Sequence, residues 1–204
     1  MAHKAPKPMR RERARPAAGD RFFANSVETA RKRARRDLEN AMNIVLNSVE
    51  RLQSARLIDV HAAWKKVSAG RMAPRREEIT PALLKTALPS VWMIDVVEGG
   101  KDFRFRLAGD RLIQFMGRRY AGSLLSEFLD QPFFQHMREI LLTAVRGKRP
   151  FVIGPGRSRM PGKEHIELEV VVLPLSDDGE NVTTIFGAME FGPISGKKLP
   201  KGQP

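Results

Sequence analysis

The stretch that decides the fold is DFRFRLAGDRLIQFMG, residues 102–117. Its first half alternates apolar and charged residues, as a half-buried strand does, and places Phe103, Phe105 and Leu107 on one side. Its second half has apolar residues at helical spacing, and the two halves meet without a break at Gly109. A strand that bends at once into a short helix predicts a corner of the fold, which would form one wall of a small ligand-sized cavity.

The segments on either side of this corner indicate the fold class. An apolar strand at residues 90–97 precedes it and joins it through a turn at 98–101, which predicts a hairpin. The predicted helices that follow are 109–116, 122–128 and 133–146, and the later strands are 150–156, 164–175 and 181–191. Consecutive hairpins with grouped helices predict an α+β fold, namely a five-stranded antiparallel sheet with short helices on one face.

The region before the strands is predicted to be helical. Residues 25–56 lack proline and glycine and carry an apolar stripe with steps of three and four residues, which predicts a long amphipathic helix. This helix either packs on its own domain or forms a homodimer, and the stripe fits both roles. A second helix at about 57–69 begins the compact domain, which extends to residue 192. Residues 1–24 and 193–204 are too polar to bury a core and are expected to be disordered tails.

The formal net charge of +13 comes mostly from the ends of the chain. Residues 1–36 contain 12 Lys and Arg against 3 Asp and Glu, whereas residues 37–195 contain 21 against 20. Basic side chains attract polyanions over long distances, so this end of the chain is a candidate for binding nucleic acid or an anionic membrane. The predicted polyanion-binding residues are Arg10, Arg11, Arg31, Lys32, Arg33, Arg35 and Arg36.

Several function classes find no support in the sequence. The chain has no cysteine, which excludes disulfides, thiolate metal sites and a thiol nucleophile. The four histidines lack the spacing of a metal site, and the glycines of 154–162 do not lead into a helix that would hold phosphate. We therefore expect no catalytic residue, no metal ligand and no enzymatic activity. No apolar run of roughly 20 residues is present, and the charged N-terminus is not followed by the apolar segment of a secretory signal, so a cytoplasmic protein is expected.

Three stretches resemble the PAS domain superfamily, and in particular a divergent family of stand-alone bacterial PAS-like proteins. They are LPSVWMIDV, FRFRLAGDRLIQFMGRRYAGSLLSEFL and TTIFGAMEF, and the resemblance covers about residues 57–192. It implies a cavity between the sheet and its helices, in a domain that binds a small ligand or cofactor, dimerises or relays a signal to a partner. The resemblance specifies no cofactor, and the absence of cysteine removes covalent flavin chemistry.

An aromatic-rich set around the corner is predicted to bind the ligand. Its members are Phe103, Phe105, Leu107, Phe115, Met116, Tyr120, Leu124 and Phe128. Filling of the core is the alternative role for most of them. Tyr120 is the only tyrosine of the chain, and its hydroxyl group makes it the main polar candidate. His136 is interpreted as a partly exposed helix histidine, and an axial haem ligand is the alternative role that a cofactor would require of it.

Two hypotheses follow for the function. The first is a non-enzymatic sensory or adaptor protein of the PAS type, which relays a small-molecule or protein signal to another signalling protein through protein–protein contacts, as a homodimer. The second is a nucleic-acid or anionic-membrane binding protein in which the basic tail binds and the domain is a scaffold. Deletion of residues 1–36 separates them, because only the second depends on that segment.

Overall fold

A computed structural model describes residues 46–160 and 162–193. Six strands in these ranges form one antiparallel sheet in the order β1-β4-β5-β6-β2-β3. The strands are β1 (Leu46–Asn47), β2 (Val91–Val97), β3 (Asp102–Ala108), β4 (Phe151–Arg157), β5 (Ile166–Leu175) and β6 (Thr184–Pro193). The α+β class, the antiparallel pairing and the five predicted strands are confirmed, and β1 adds a sixth strand that the sequence patterns do not indicate.

Four α-helices lie in the described residues. They are α1 (Ala55–Ser68), α2 (Pro81–Leu84), α3 (Asp110–Met116) and α4 (Gln131–Gly147). The two long helices, α1 and α4, begin at a side-chain cap: the Ser54 oxygen accepts from the Leu57 N–H, and the Asp130 carboxylate accepts from the Phe133 N–H. Such caps satisfy N–H groups that have no partner inside the helix.

The central strands are apolar on both sides of the sheet. In β5, Val170 and Val172 belong to the side that α4 covers, which we call the α4 face. Val171 and Leu173 belong to the other side, which α1 covers and which we call the α1 face. A sheet with two apolar faces requires a layer on each of them.

Helices on both faces correct the prediction that they lie on one face only. α3 and α4, which follow the corner, pack on the α4 face. α1 packs on the α1 face through Leu57, Val60 and Trp64, and the indole N–H of Trp64 donates to the Pro174 carbonyl oxygen at 2.9 Å. The apolar stripe of a helix does not reveal which face it covers, whereas the unbroken apolar run at 170–175 in β5 does indicate a second layer.

The corner between β3 and α3 depends on a close approach at Gly109. Its N–H donates to the Val91 carbonyl oxygen at 2.8 Å. A Cβ atom at this position would lie 2.5 Å from the Pro89 oxygen and 2.7 Å from the Leu88 oxygen. Because backbone atoms cannot give way as a flexible side chain does, glycine is required for the corner to close.

A β-bulge corrects the placement of Leu107. Met93 pairs with Leu107, whereas the next residue of β2 pairs with Phe105, so Arg106 is an extra residue in β3. A bulge turns the following side chain to the other face. Phe103 and Phe105 are buried, but Leu107 is on the α1 face and 43% exposed. The prediction that it shares a face with the two phenylalanines is wrong.

β3 lies at one edge of the sheet, and the segment after α3 covers part of that edge. The Phe105 N–H donates to the Ser123 oxygen at 3.0 Å, and the Gly122 N–H donates to the Phe105 oxygen at 2.6 Å. A further backbone bridge joins Arg104 and Leu124. These bonds occupy groups that an edge strand otherwise leaves unpaired.

Two glutamates of the sheet hold the N-terminus of α1. Glu169 of β5 and Glu190 of β6 face each other directly across the strands. The Glu169 carboxylate accepts from the backbone N–H groups of Gln53 at 2.8 Å and Ser54 at 2.9 Å. The Glu190 carboxylate accepts from the Arg56 guanidinium at 2.5 Å. The sheet therefore supplies acceptors at the helix end.

This arrangement solves two electrostatic problems at once. The N-terminus of a helix carries partial positive charge and unpaired N–H groups, and the first turn of α1 has no acidic residue. Like charges directly opposite each other in a sheet are destabilising. The helix end and the bound Arg56 compensate the charges of Glu169 and Glu190, and the buried Ser90 hydroxyl also donates to Glu190, at 2.6 Å.

Arg111 of α3 completes the same cluster from the other side of the sheet. β2 pairs with β6 only as far as Val91 and Ala188, so the later part of β6 has no strand on that side. Arg111 Nη2 donates there to the Phe191 oxygen at 2.9 Å and lies 3.1 Å from a Glu190 carboxylate oxygen. One guanidinium thus ties α3 to β6 where the ladder has ended.

Residues 46–54 do not continue a long helix, which corrects the C-terminal part of the helix predicted at 25–56. They form β1, the 3-10 helix Val49–Arg51 and an extended segment before α1 begins at Ala55. Residues 25–45 lie outside the described residues, so the rest of that helix and its role in dimerisation stay predictions.

Tertiary hydrogen bonds explain why residues 46–54 are not helical. The Asn47 side-chain amide donates to the Gly154 carbonyl oxygen at 2.7 Å. The bonds from Gln53 and Ser54 to Glu169 hold the backbone extended just before the cap. Contacts of this kind outweigh the weak helix propensity of a short segment.

Replacing Glu169 by alanine is expected to destabilise the fold. The change removes the shared acceptor of the Gln53 and Ser54 N–H groups, and a hydrogen bond to a charged group contributes about 1.5–3 kcal/mol. Urea unfolding measures the free energy. Glu167→Ala is the matched control, because Glu167 lies two residues away on the same strand and makes neither bond. Equal effects of the two substitutions would contradict this role of Glu169.

Candidate ligand cavity

A cavity of about 240 Å³ lies between the α4 face of the sheet and the helices above it. The sheet contributes Trp92, Ile94, Leu168, Val170 and Met189 to its walls. The helical side contributes Leu112, Phe115 and Met116 of α3 and Phe133, Met137, Ile140 and Leu141 of α4. All of these side chains are apolar or aromatic, which is typical of a small-molecule site.

Half of the predicted ligand-binding residues line this cavity. Phe105, Phe115, Met116 and Phe128 are among its walls. The four side chains surround one space in the structure. That they bind a ligand there stays a prediction.

The other four predicted residues lie elsewhere. Phe103 is fully buried in the same hydrophobic cluster and fills the core. Leu107 is on the opposite face because of the bulge. Leu124 takes part in the bridge at the edge of β3. Tyr120 is buried behind the wall, with its ring centroid 4.0 Å from that of Phe128.

Tyr120 contributes its ring to a stack on the outside of the cavity wall. The Arg118 guanidinium lies 4.7 Å from the Tyr120 ring centroid and 5.8 Å from that of Phe128. A cation above an aromatic face is attracted by the ring quadrupole. The stack supports Phe128 from behind, and Tyr120 is not among the lining residues.

The sequence prediction missed the walls formed by β4, β5, β6 and α4. Its candidates all lie between residues 103 and 128, whereas Met137, Leu168, Val170 and Met189 line the cavity from further along the chain. The alternation of Leu168 and Val170 with glutamates in β5 was the available signal.

Gly187 makes room for the floor of the cavity. It lies directly opposite Trp92 across strands β6 and β2. A Cβ atom at Gly187 would overlap the Trp92 ring and lie 2.6 Å from the Val171 oxygen. The indole therefore lies against the bare backbone of β6, which is a recognised use of glycine inside a strand.

One end of the cavity is polar. The segment Arg157–Ser158–Arg159 is among its lining residues, with both arginines exposed and Ser158 buried. The Ser158 hydroxyl accepts from the Met160 N–H at 3.1 Å. No acidic residue in the described ranges lines the cavity.

The described part of the chain offers neither a metal site nor a helix that could span a membrane. Across residues 46–160 and 162–193, no three His, Asp or Glu side chains come together in a group that could hold a metal ion. None of the helices described there is both long and apolar enough to cross a bilayer. The predicted polyanion-binding residues, from Arg10 to Arg36, lie outside the described residues, and their role stays a prediction.

His136 is the one buried histidine among the described residues. It lies on α4 between the lining residues Phe133 and Met137 and is 5% exposed. Its Nε2 atom has no hydrogen-bond partner within the described part of the chain. Burial lowers the pKa of the His136 imidazole, because desolvation disfavours the charged form.

Replacing Gly187 by alanine is expected to destabilise the fold by about 1–3 kcal/mol, since a methyl group there overpacks Trp92. Thermal or urea unfolding measures the loss. Gly192→Ala in the same strand is the matched control, because nothing lies within 4 Å of a Cβ atom at that position. A stable Gly187→Ala variant with unchanged Trp fluorescence would contradict the assignment of the floor.

Lowering the pH is expected to destabilise the fold through His136. The pKa of His136 is lowered in the folded state, so the unfolded chain, with its ordinary pKa of about 6.5, binds the proton first. This contribution to stability is present above about pH 6.5 and is lost as the pH falls, with a slope of at most about 1.4 kcal/mol per pH unit.

Urea unfolding between about pH 5.5 and 7.5 tests this sign. His136→Leu is expected to show a shallower loss of stability on acidification than the natural chain. His61 is half-buried, and its pKa is also lowered, mostly by burial and to a smaller extent by the positive charge of Lys65. His61→Gln is therefore the control. The same pH slope in the natural chain and in His136→Leu would exclude His136 as the cause.

Comparison with known proteins agrees with this architecture. The family model described as PAS domain matches residues 52–190, which is more than half of the chain. No curated protein and no solved structure matches the chain. The match begins just before α1 and ends in β6, so it includes both helical layers, strands β2 to β5, most of β6 and every wall of the cavity, but not β1. The chain belongs to the PAS domain family.

Proposed function

We propose that the protein is a non-enzymatic sensory or adaptor protein, which binds a small molecule in the cavity and passes the signal to another signalling protein through altered protein contacts. Membership of the PAS domain family supports a sensory role in general. The observation that carries the specific proposal is the apolar space of about 240 Å³ between the sheet and helices α3 and α4. Interiors are otherwise close-packed, so a space of this size with aromatic walls favours an occupant.

The contacts of α3 offer a route from the cavity to the far side of the sheet. Leu112 lines the cavity, and the residue before it, Arg111, lies 3.1 Å from Glu190. Glu190 in turn binds Arg56 of α1. A ligand that shifts α3 therefore changes the contacts at the N-terminus of α1, and contiguous hydrogen-bonded side chains are a physical means of such coupling.

A change at α1 would be visible to a partner. The side of helix α1 that packs on the sheet makes its apolar contacts, whereas Ile58 on its outer side is 45% exposed. The proposal places the output at this surface, where another signalling protein or a second copy of the chain would bind. Light scattering of the full chain, with and without ligand, measures whether a second copy of the chain binds.

Native mass spectrometry of the full chain purified from its own host tests whether the cavity holds a small molecule. A small molecule is expected to co-purify with the natural protein and to be absent from Val170→Trp, in which the larger side chain fills the cavity. Ile58→Trp is the matched control, because Ile58 is outside the cavity. A protein free of any bound molecule, together with no response to added ligands, would contradict the proposed function.

Hydrogen exchange tests whether the contact between Arg111 and Glu190 connects the cavity to the N-terminus of α1. Ligand is expected to change the exchange rates of the Gln53 and Ser54 amides, and the change is expected to shrink in Arg111→Gln, which removes the link to Glu190. Arg118→Gln is the control, since Arg118 stacks on the wall and has no contact with Glu190. An equal response in both variants would exclude Arg111 as the link.

A further inference from the structure

The interior of the cavity favours a hydrocarbon chain. Its sheet and helix walls are apolar, and the described residues place no charged side chain inside it. A polar group moved from water into such a space without a hydrogen-bond partner loses free energy, whereas methylene groups gain it.

Four methionines make the walls adaptable. Met116, Met137, Met160 and Met189 come from four separate segments and all line the cavity. The methionine side chain is unbranched and polarisable, and it follows irregular or flexible apolar surfaces better than branched side chains do. Such walls can follow the several conformations of a flexible linear chain.

The rim of the cavity carries positive charge. Arg157 and Arg159 are the charged residues among its lining residues, and both are exposed. Arg157 lies opposite Glu167 in the register of β4 and β5. Arg159 comes after the end of β4 and so has no residue opposite it in this register. Within the described part of the chain, neither arginine side chain makes an ion pair or a hydrogen bond of its own. A guanidinium binds a carboxylate through two parallel N–H groups, so Arg159 is the group suited to an anionic end.

The volume limits the length of the chain. An apolar cavity of about 150 Å³ binds one benzene molecule, which has six carbons, so a space of about 240 Å³ holds roughly eight to ten carbons. A carboxylate held at the rim lies outside this space. The fit is therefore to an aliphatic chain of about eight to ten carbons.

We infer that the cavity binds a linear medium-chain aliphatic carboxylate, with its chain between the methionine-rich walls and its carboxylate at Arg159. The inference rests on the proposed function, because both require that the cavity holds a ligand. It goes further in naming the chemical class and the residue that selects it.

Titration of the full chain with octanoate, followed by NMR of ¹³C-labelled methionine methyl groups, tests the inference. The signals of Met116, Met137, Met160 and Met189 are expected to shift, whereas that of Met93, on the α1 face, is not. Affinity is expected to rise about fourfold for each methylene group from butanoate to octanoate, the increment for burying one CH₂. Constant affinity along this series, or shifts at Met93 of equal size, would overturn the inference.

The role of the carboxylate is tested with octanol, which has the same chain and no charge. Octanol is expected to bind the natural protein about tenfold more weakly than octanoate, as loss of a hydrogen bond to a charged group predicts. Arg159→Gln is expected to abolish this difference. Arg157→Gln is the matched control, with the same change of charge on the same rim, and is expected to retain it.

The outcomes separate this inference from the proposed function. Equal binding of octanol and octanoate by the natural protein, or equal losses in Arg159→Gln and Arg157→Gln, would overturn the carboxylate assignment and leave a ligand sensor in place. Failure of both compounds to shift the four methionines, with a different molecule found by native mass spectrometry, would overturn the inference alone. Failure of both compounds with no bound molecule at all would overturn the inference and the proposed function together.

Discussion

The central strands of this protein are apolar on both sides, and the remaining architecture follows from that constraint. Val170 and Val172 require one layer of cover, and Val171 and Leu173 require another. α1 provides the second layer and is fixed at its start by the Glu169 carboxylate. The first layer is assembled from short elements, α3, α4 and the chain between them, and a layer of several pieces leaves room that a single close-packed helix would fill.

The two layers are not independent of each other. Arg111 belongs to the helix beside the cavity, yet its guanidinium reaches Glu190 at the point where β2 no longer pairs with β6. The same carboxylate binds Arg56 at the start of α1. Because the ladder ends early on this side, side chains from both layers meet at one carboxylate. The position of a strand end therefore determines which helices can influence each other.

The structural elements that local periodicity encodes were predicted from the sequence, whereas the features that depend on distant contacts were missed. Apolar or alternating patterns were enough for β2 to β6, and helical spacing for α3 and α4, whereas the helix predicted at 122–128 is only the 3-10 helix Leu125–Glu127. The face of Leu107 was wrong because a bulge depends on the partner strand, and residues 46–54 were assigned to a helix because their acceptors, Gly154 and Glu169, are about a hundred residues away. The near wall of the cavity was predictable from the corner itself. The far wall required knowing which strands and which helix face the corner, and only tertiary structure provides that.

The covered edge of β3 has a consequence for how other molecules can approach. The chain at Gly122 and Ser123 already uses both backbone groups of Phe105, so an incoming peptide cannot extend the sheet there by adding itself as another strand. A molecule that binds at this part of the edge has to contact side chains, because the main-chain groups are already paired. The same bonds leave fewer free backbone groups for the edge-to-edge stacking of strands into fibrils.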